Sequence, residues 1–155
     1  MWNDTPEGKQ LVKEISKEIV AGIAPEEMEL VDELLEDYYA NPVVPENKDN
    51  PLGFGSELLA ASTPVIAMAL QTLFNFVLNE VWVSAQKEGA VLIAEKMKSL
   101  LNPTKEKAEP ALGLTQEQLE RAKKLIKKEA MRGGMKPKQA EDLALKIVGR
   151  ISLTA

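Results

Sequence analysis

The chain has 155 residues, a net charge of −5 and 45% hydrophobic side chains, long enough for one domain that buries about two thirds of its unfolded surface. It contains neither cysteine nor histidine. Disulfides, thiolate chemistry, the usual zinc ligands and the commonest general base are thereby excluded.

In chain order, residues 1–6 show neither a basic leader nor an apolar one, so a cytoplasmic location is expected, with membrane association as the option the central region leaves open. Thr5 followed by Pro6 marks a helix start, because a hydroxyl accepts from the first free N–H groups and proline sits where no N–H is needed. Leu11, Val12, Ile15, Ile19 and Val20 then recur at helical spacing to about Gly22. Ala24 and Pro25 restart the chain, and Met28, Val31, Leu34, Leu35 and Tyr38 form a second stripe ending before Asn41 and Pro42. Residues 5–40 therefore read as an acidic αα-hairpin. Pro42, Pro45, Pro51, Gly53 and Gly55 make residues 41–55 a loop.

The central region, residues 56–101, opens with a run at 58–79 that has no charge over 22 positions. Within it Gln71, Asn75 and Asn79 recur every fourth residue, which places three amides on one face of a helix. Thr63 and Pro64 are a second cap signal, so the helix starts or kinks there. Apolar residues continue through Val81, Trp82, Ala85, Val91, Ala94, Met97 and Leu101. One helix over 64–101 would measure about 57 Å, too long for a compact domain of this size, and a break is expected near Lys87, Glu88 and Gly89. The uncharged run is long enough to span a hydrocarbon core of about 30 Å, yet a helix apolar all round also suits the centre of a bundle. In a spanning form, Trp82 at one edge and Lys87, Lys96 and Lys98 beyond it place the C-terminal side in the cytoplasm.

Asn102 and Pro103 end this region, and Pro103, Pro110 and Gly113 mark residues 102–113 as a linker. Thr115 and Gln118 form a capping box, with Leu114 and Leu119 spaced as a hydrophobic staple. The helix they start carries Leu119, Ala122, Leu125, Ile126 and Ala130 and stops at Gly133 and Gly134. Pro137 opens a last helix with Ala140, Leu143, Ala144, Ile147, Val148 and Ile151 on one face. Residues 114–155 read as a basic αα-hairpin. The predicted fold is all-α: one helical bundle domain, residues 1–155, with two amphipathic hairpins flanking a long central apolar helix.

Charge is distributed unevenly. Residues 1–50 hold 13 acidic and 4 basic side chains, residues 51–113 hold 6 and 5, and residues 114–155 hold 5 and 10. Either the two ends attract each other or the basic end meets an anionic partner. Arg121, Lys124, Lys128 and Arg132 are the candidate face for that partner, an acidic protein surface or anionic lipid headgroups. Nucleic acid is not expected, because residues 114–155 contain no aromatic for base stacking and the whole chain is acidic.

Nothing in the chain composes a catalytic or metal motif. The cluster Glu26, Glu27, Glu29, Asp32, Glu33, Glu36 and Asp37 reads as a solvated face, since carboxylate di-metal bundles also use Glu-x-x-His pairs that are absent here. Residues 46–57 have calcium-loop length, but Lys48 and Pro51 stand where a ligand and a glycine are needed. No serine lies in a Gly-x-Ser-x-Gly turn, and a hydroxyl nucleophile would lack its usual base. No enzyme activity, cofactor or metal is expected. The candidate association stripe is Gln71, Asn75 and Asn79. The expected function is that of a non-catalytic helical protein whose uncharged central helix mediates self-association, partner binding or conditional membrane insertion. The alternative is a soluble interaction module or regulator that uses the basic hairpin to bind an acidic protein or nucleic acid.

Overall fold

The structure, a computed structural model, describes residues 2–40, 62–101 and 114–151. Six α-helices carry these residues: α1 Pro6–Ile23, α2 Val31–Ala40, α3 Ser62–Phe76, α4 Ala90–Leu101, α5 Gln116–Arg132 and α6 Pro137–Val148. No strand occurs among the described residues. The fold is an all-α bundle. The loop read at 41–55, the first residues of the central region and the linker at 102–113 lie outside the described residues.

Local capping chemistry sets the starts of α1 and α5. Thr5 Oγ1 accepts from the Gly8 N–H at 3.1 Å, with Pro6 as the first residue of α1. Thr115 Oγ1 accepts from the Gln118 N–H at 3.1 Å while Gln118 Oε1 accepts from the Thr115 N–H at 3.0 Å, so two otherwise unpaired donors are satisfied reciprocally. Leu114 is fully buried, and Leu119 packs against the same core.

Two boundaries differ from the sequence reading. Pro25–Glu27 forms a 3-10 turn and α2 begins only at Val31, which leaves Met28 outside the apolar stripe and 38% exposed. The break in the central region includes Glu88 and Gly89 as expected but begins earlier. Val77–Val81 is a π-helical turn in which the Trp82 N–H reaches back five residues to the Val77 carbonyl at 2.7 Å. The chain then bends at Trp82, whose side chain is buried, runs through the 3-10 segment Val83–Lys87, and re-enters a helix at Ala90.

Helix α3 is the axis of the fold. Val65, Ile66, Ala67, Ala69, Leu70, Leu73, Phe74 and Phe76 are buried, and α1, α2 and α5 all pack on it. Helix α4 packs on α1, and α6 packs chiefly on α5. Helices α1 and α2 touch each other less than either touches α3, so each acts as a separate wall of the central helix. Ala122, Ala130, Ala140 and Ala144 are buried on α5 and α6, and these small side chains permit that close approach. The paired glycines after α5 have different causes. A Cβ on Gly133 would lie 3.1 Å from the Val65 and Met68 side chains, whereas Gly134 takes φ 107°, a conformation that side chains oppose.

Candidate functional site

The polar face of α3 is where sequence and structure converge. Among the described residues, one segment, Ser62–Val81, is long and apolar enough to cross a membrane by length and composition, and 56% of its 18-residue apolar stretch is buried within the fold. Its amides must therefore find partners among the surrounding helices or reach solvent. Both solutions occur.

Gln71 is half-buried and accepts a hydrogen bond from the Tyr38 hydroxyl of α2 at 2.5 Å. Burial pushes the Tyr38 phenol up to about 12 and the Glu129 charge adds to the shift. The neighbouring Tyr39 hydroxyl is buried without a well-formed hydrogen bond. Its phenol is also raised, by burial first and then by Tyr38, with the Gln71 amide opposing. The two rings meet edge to face at 5.3 Å, and the Lys9 and Lys13 ammonium groups sit 5.5 and 5.9 Å from the Tyr39 ring centre. Both folded-state shifts are upward, so their stabilising contribution is complete below the ordinary phenol value of 10.0 and is lost as pH rises towards about 12. Phenolate absorbance should stay silent in the folded chain beyond the pH where free tyrosine ionises. The melting temperature should fall across the same interval, and a Tyr38→Phe, Tyr39→Phe double variant should flatten that fall.

Asn75 is held from the other side. The Asn3 Nδ2 donates to Asn75 Oδ1 at 2.8 Å and to the Gln71 carbonyl at 3.3 Å. Asn3 belongs to a 3-10 turn, Trp2–Asp4, in which the Trp2 Nε1 donates to the Ala90 carbonyl at 3.0 Å and its ring meets Phe74 edge to face at 5.5 Å. This turn ties α3 to the start of α4. Asn3 is buried, and its Oδ1 has no hydrogen-bond partner.

Asn79, the last member of the stripe, lies in the π turn and is exposed. A cavity of about 330 Å³ opens there, with Thr5, Asn75, Asn79 and Glu88 as its polar lining and apolar walls that include Trp2 and Leu78. Single π turns inside helices recur at functional sites because the extra residue re-aims side chains locally. Here the π turn supplies both Leu78 and Asn79 to the cavity. Glu88 is bound through both carboxylate oxygens to the Lys96 ammonium at 2.7 and 2.6 Å. The structure thus brings Asn75 and Asn79 to one cavity and leaves Gln71 on the tyrosine side of the helix.

The basic face divides in the same way. Arg121 pairs with Glu80 at 2.5 Å and lies 5.4 Å from the Phe76 ring centre, tying α5 to the end of the central helix. Arg132 pairs with Glu129 at 3.4 Å, and Lys123 and Lys127 share Glu141 at 3.4 and 3.3 Å, which holds the Glu141 carboxyl below its usual value. Lys124 and Lys128 are exposed and pair with no carboxylate among the described residues. Glu18 and Arg150, 2.8 Å apart, join the acidic first block to the basic last one.

The acidic cluster contains a contact that sequence reasoning missed. Glu27 accepts from the Ser62 and Thr63 N–H groups at 2.8 and 2.9 Å and from the Thr63 hydroxyl at 2.8 Å. It caps α3 from 35 positions away, and no local pattern announces it. Among the described residues no group of three carboxylates converges to hold a metal ion. Comparison with family models, with curated proteins and with solved structures gave no match.

Proposed function

We propose that the protein is a non-catalytic helical module that keeps an uncharged helix stored in its bundle and associates through it with an apolar surface, a lipid bilayer first among the candidates. The observation that carries this reading is Ser62–Val81, a segment of membrane-spanning length and composition whose surroundings are amphipathic helices rather than further apolar ones. Its amides bond to Tyr38 and Asn3, contacts that exchange for other hydrogen-bond partners when the helix leaves its walls. Val83, Val91 and Leu92, further along the chain, are each more than half exposed and add apolar surface to the fold. With Gln71 and Asn75 already engaged inside the fold, self-association through the amide stripe requires the same release.

Vesicles of phosphatidylglycerol and phosphatidylcholine provide the test. The full chain is expected to float with vesicles containing the anionic lipid and to release an entrapped dye. A chain that stays monomeric and never floats, with or without the anionic lipid, overturns the proposal. A second reading rests on Lys124 and Lys128, whose charges are not neutralised by any described carboxylate. If Lys124→Glu with Lys128→Glu abolishes binding to an acidic protein while vesicle binding never occurs, the basic face is the working surface instead.

A further inference from the structure

We infer that the cavity between the N-terminal turn, the π turn and the start of α4 is a binding site for a small organic cation, an ammonium or guanidinium group on a short apolar body. This goes beyond membrane association and does not depend on it. The volume of about 330 Å³ lies at the small end of ligand pockets, which run from about 300 to 1,000 Å³. Only a small molecule fits.

The sign of the ligand follows from the lining. Among the described residues Glu88 is the one ionisable group on the cavity wall. Because Lys96 already matches its charge, a cation gains this carboxylate by displacing that ammonium, whereas an anion has no cationic group on the wall to pair with. The Lys96 ammonium bonded to both Glu88 oxygens shows that this carboxylate is positioned to receive an alkylammonium group. Lys96 does not line the cavity, and its side chain is 32% exposed, so it can turn to solvent when a ligand takes its place. Asn75 Oδ1 spends one lone pair on Asn3 and keeps a second for a ligand N–H. Trp2 and Leu78 contribute apolar surface for the ligand's body.

The site is also preformed. Trp2 is fixed by its bond to the Ala90 carbonyl and Asn75 by its bond to Asn3, so the rearrangement that binding requires is the departure of Lys96 from Glu88.

Calorimetric titration of the full chain with n-butylammonium and agmatine, against butyrate and 1-butanol, tests the inference. The two cations should bind saturably, 1-butanol at least tenfold more weakly, and butyrate not at all. Glu88→Gln should weaken butylammonium at least tenfold. Lys96→Ala should strengthen it severalfold by removing the internal competitor. Both side chains are partly exposed, and an unchanged circular dichroism melt confirms that the fold is kept. Because the two substitutions move affinity in opposite directions, damage to the fold cannot mimic the pattern. Butyrate or butanol binding as well as butylammonium, or an affinity indifferent to both substitutions, overturns it, whatever the vesicle experiment gives.

Discussion

Glu27→Ala, at a half-buried position, is expected to destabilise the protein by about 3 kcal/mol. Glu27 accepts three hydrogen bonds at the start of α3, and Thr63, which supplies two of them, is fully buried. Without the carboxylate the Thr63 N–H and hydroxyl lose their partner in a place water does not reach. An unsatisfied buried donor costs about 1–3 kcal/mol, and the lost attraction between a negative charge and a helix N-terminus adds about 0.3–1 kcal/mol. Ser62 is only half-buried, so water replaces its bond at little cost. Glu26→Ala is the control: the residue is exposed in the same turn and should change stability by less than about 0.5 kcal/mol. Urea denaturation midpoints for the two variants give the comparison, and equal midpoints would mean that the cap is not formed in solution. If the central helix is stored for release, Glu27→Ala should also float with vesicles at lower lipid concentration than the parent chain.

The capping contacts explain which parts of the fold were legible in the sequence. Thr5, Thr115 and Gln118 act on groups three residues away, and each marked a helix start that the structure contains. The buried stripes of α1, α5 and α6 were equally readable, because a helix face is written at fixed local spacing. Glu27 was read only as part of a solvated acidic face, since its partners are 35 and 36 positions along the chain. The π turn was missed for a related reason. A bond reaching back five residues instead of four leaves the same apolar composition, and the break expected near Gly89 begins already at Trp82, without any breaker residue there, and runs on to Gly89. The amide stripe was visible, but its partners were not. Nothing local connects Asn75 to Asn3 or Gln71 to Tyr38, and only the packing decides that the stripe splits into a tyrosine side and a cavity side.

Gly8→Ala gives the sharpest test of that cavity side, because local propensity and packing predict opposite signs. Gly8 lies in the first turn of α1, where replacing glycine by alanine in a helix ordinarily gains about 1 kcal/mol. A Cβ at Gly8 would stand 2.4 Å from the Trp2 carbonyl oxygen, a backbone atom with no rotamer to escape into. That oxygen also accepts from the Thr5 N–H at 2.9 Å and from the Thr5 hydroxyl, so it cannot turn away without undoing the cap of α1. The turn carrying Trp2 and Asn3 must then lift from α3 and α4. With it go the bond to the Ala90 carbonyl, the bond to Asn75 and the edge contact with Phe74. A net loss of about 3 kcal/mol is expected, at the upper end for inserting a methyl group into a packed site. The indole emission should shift towards that of a solvated tryptophan, and butylammonium binding should disappear with the wall that Trp2 provides. A variant as stable as the parent, or more so, would show that residues 2–5 do not rest on the central helix, and the cavity they close would not exist in solution.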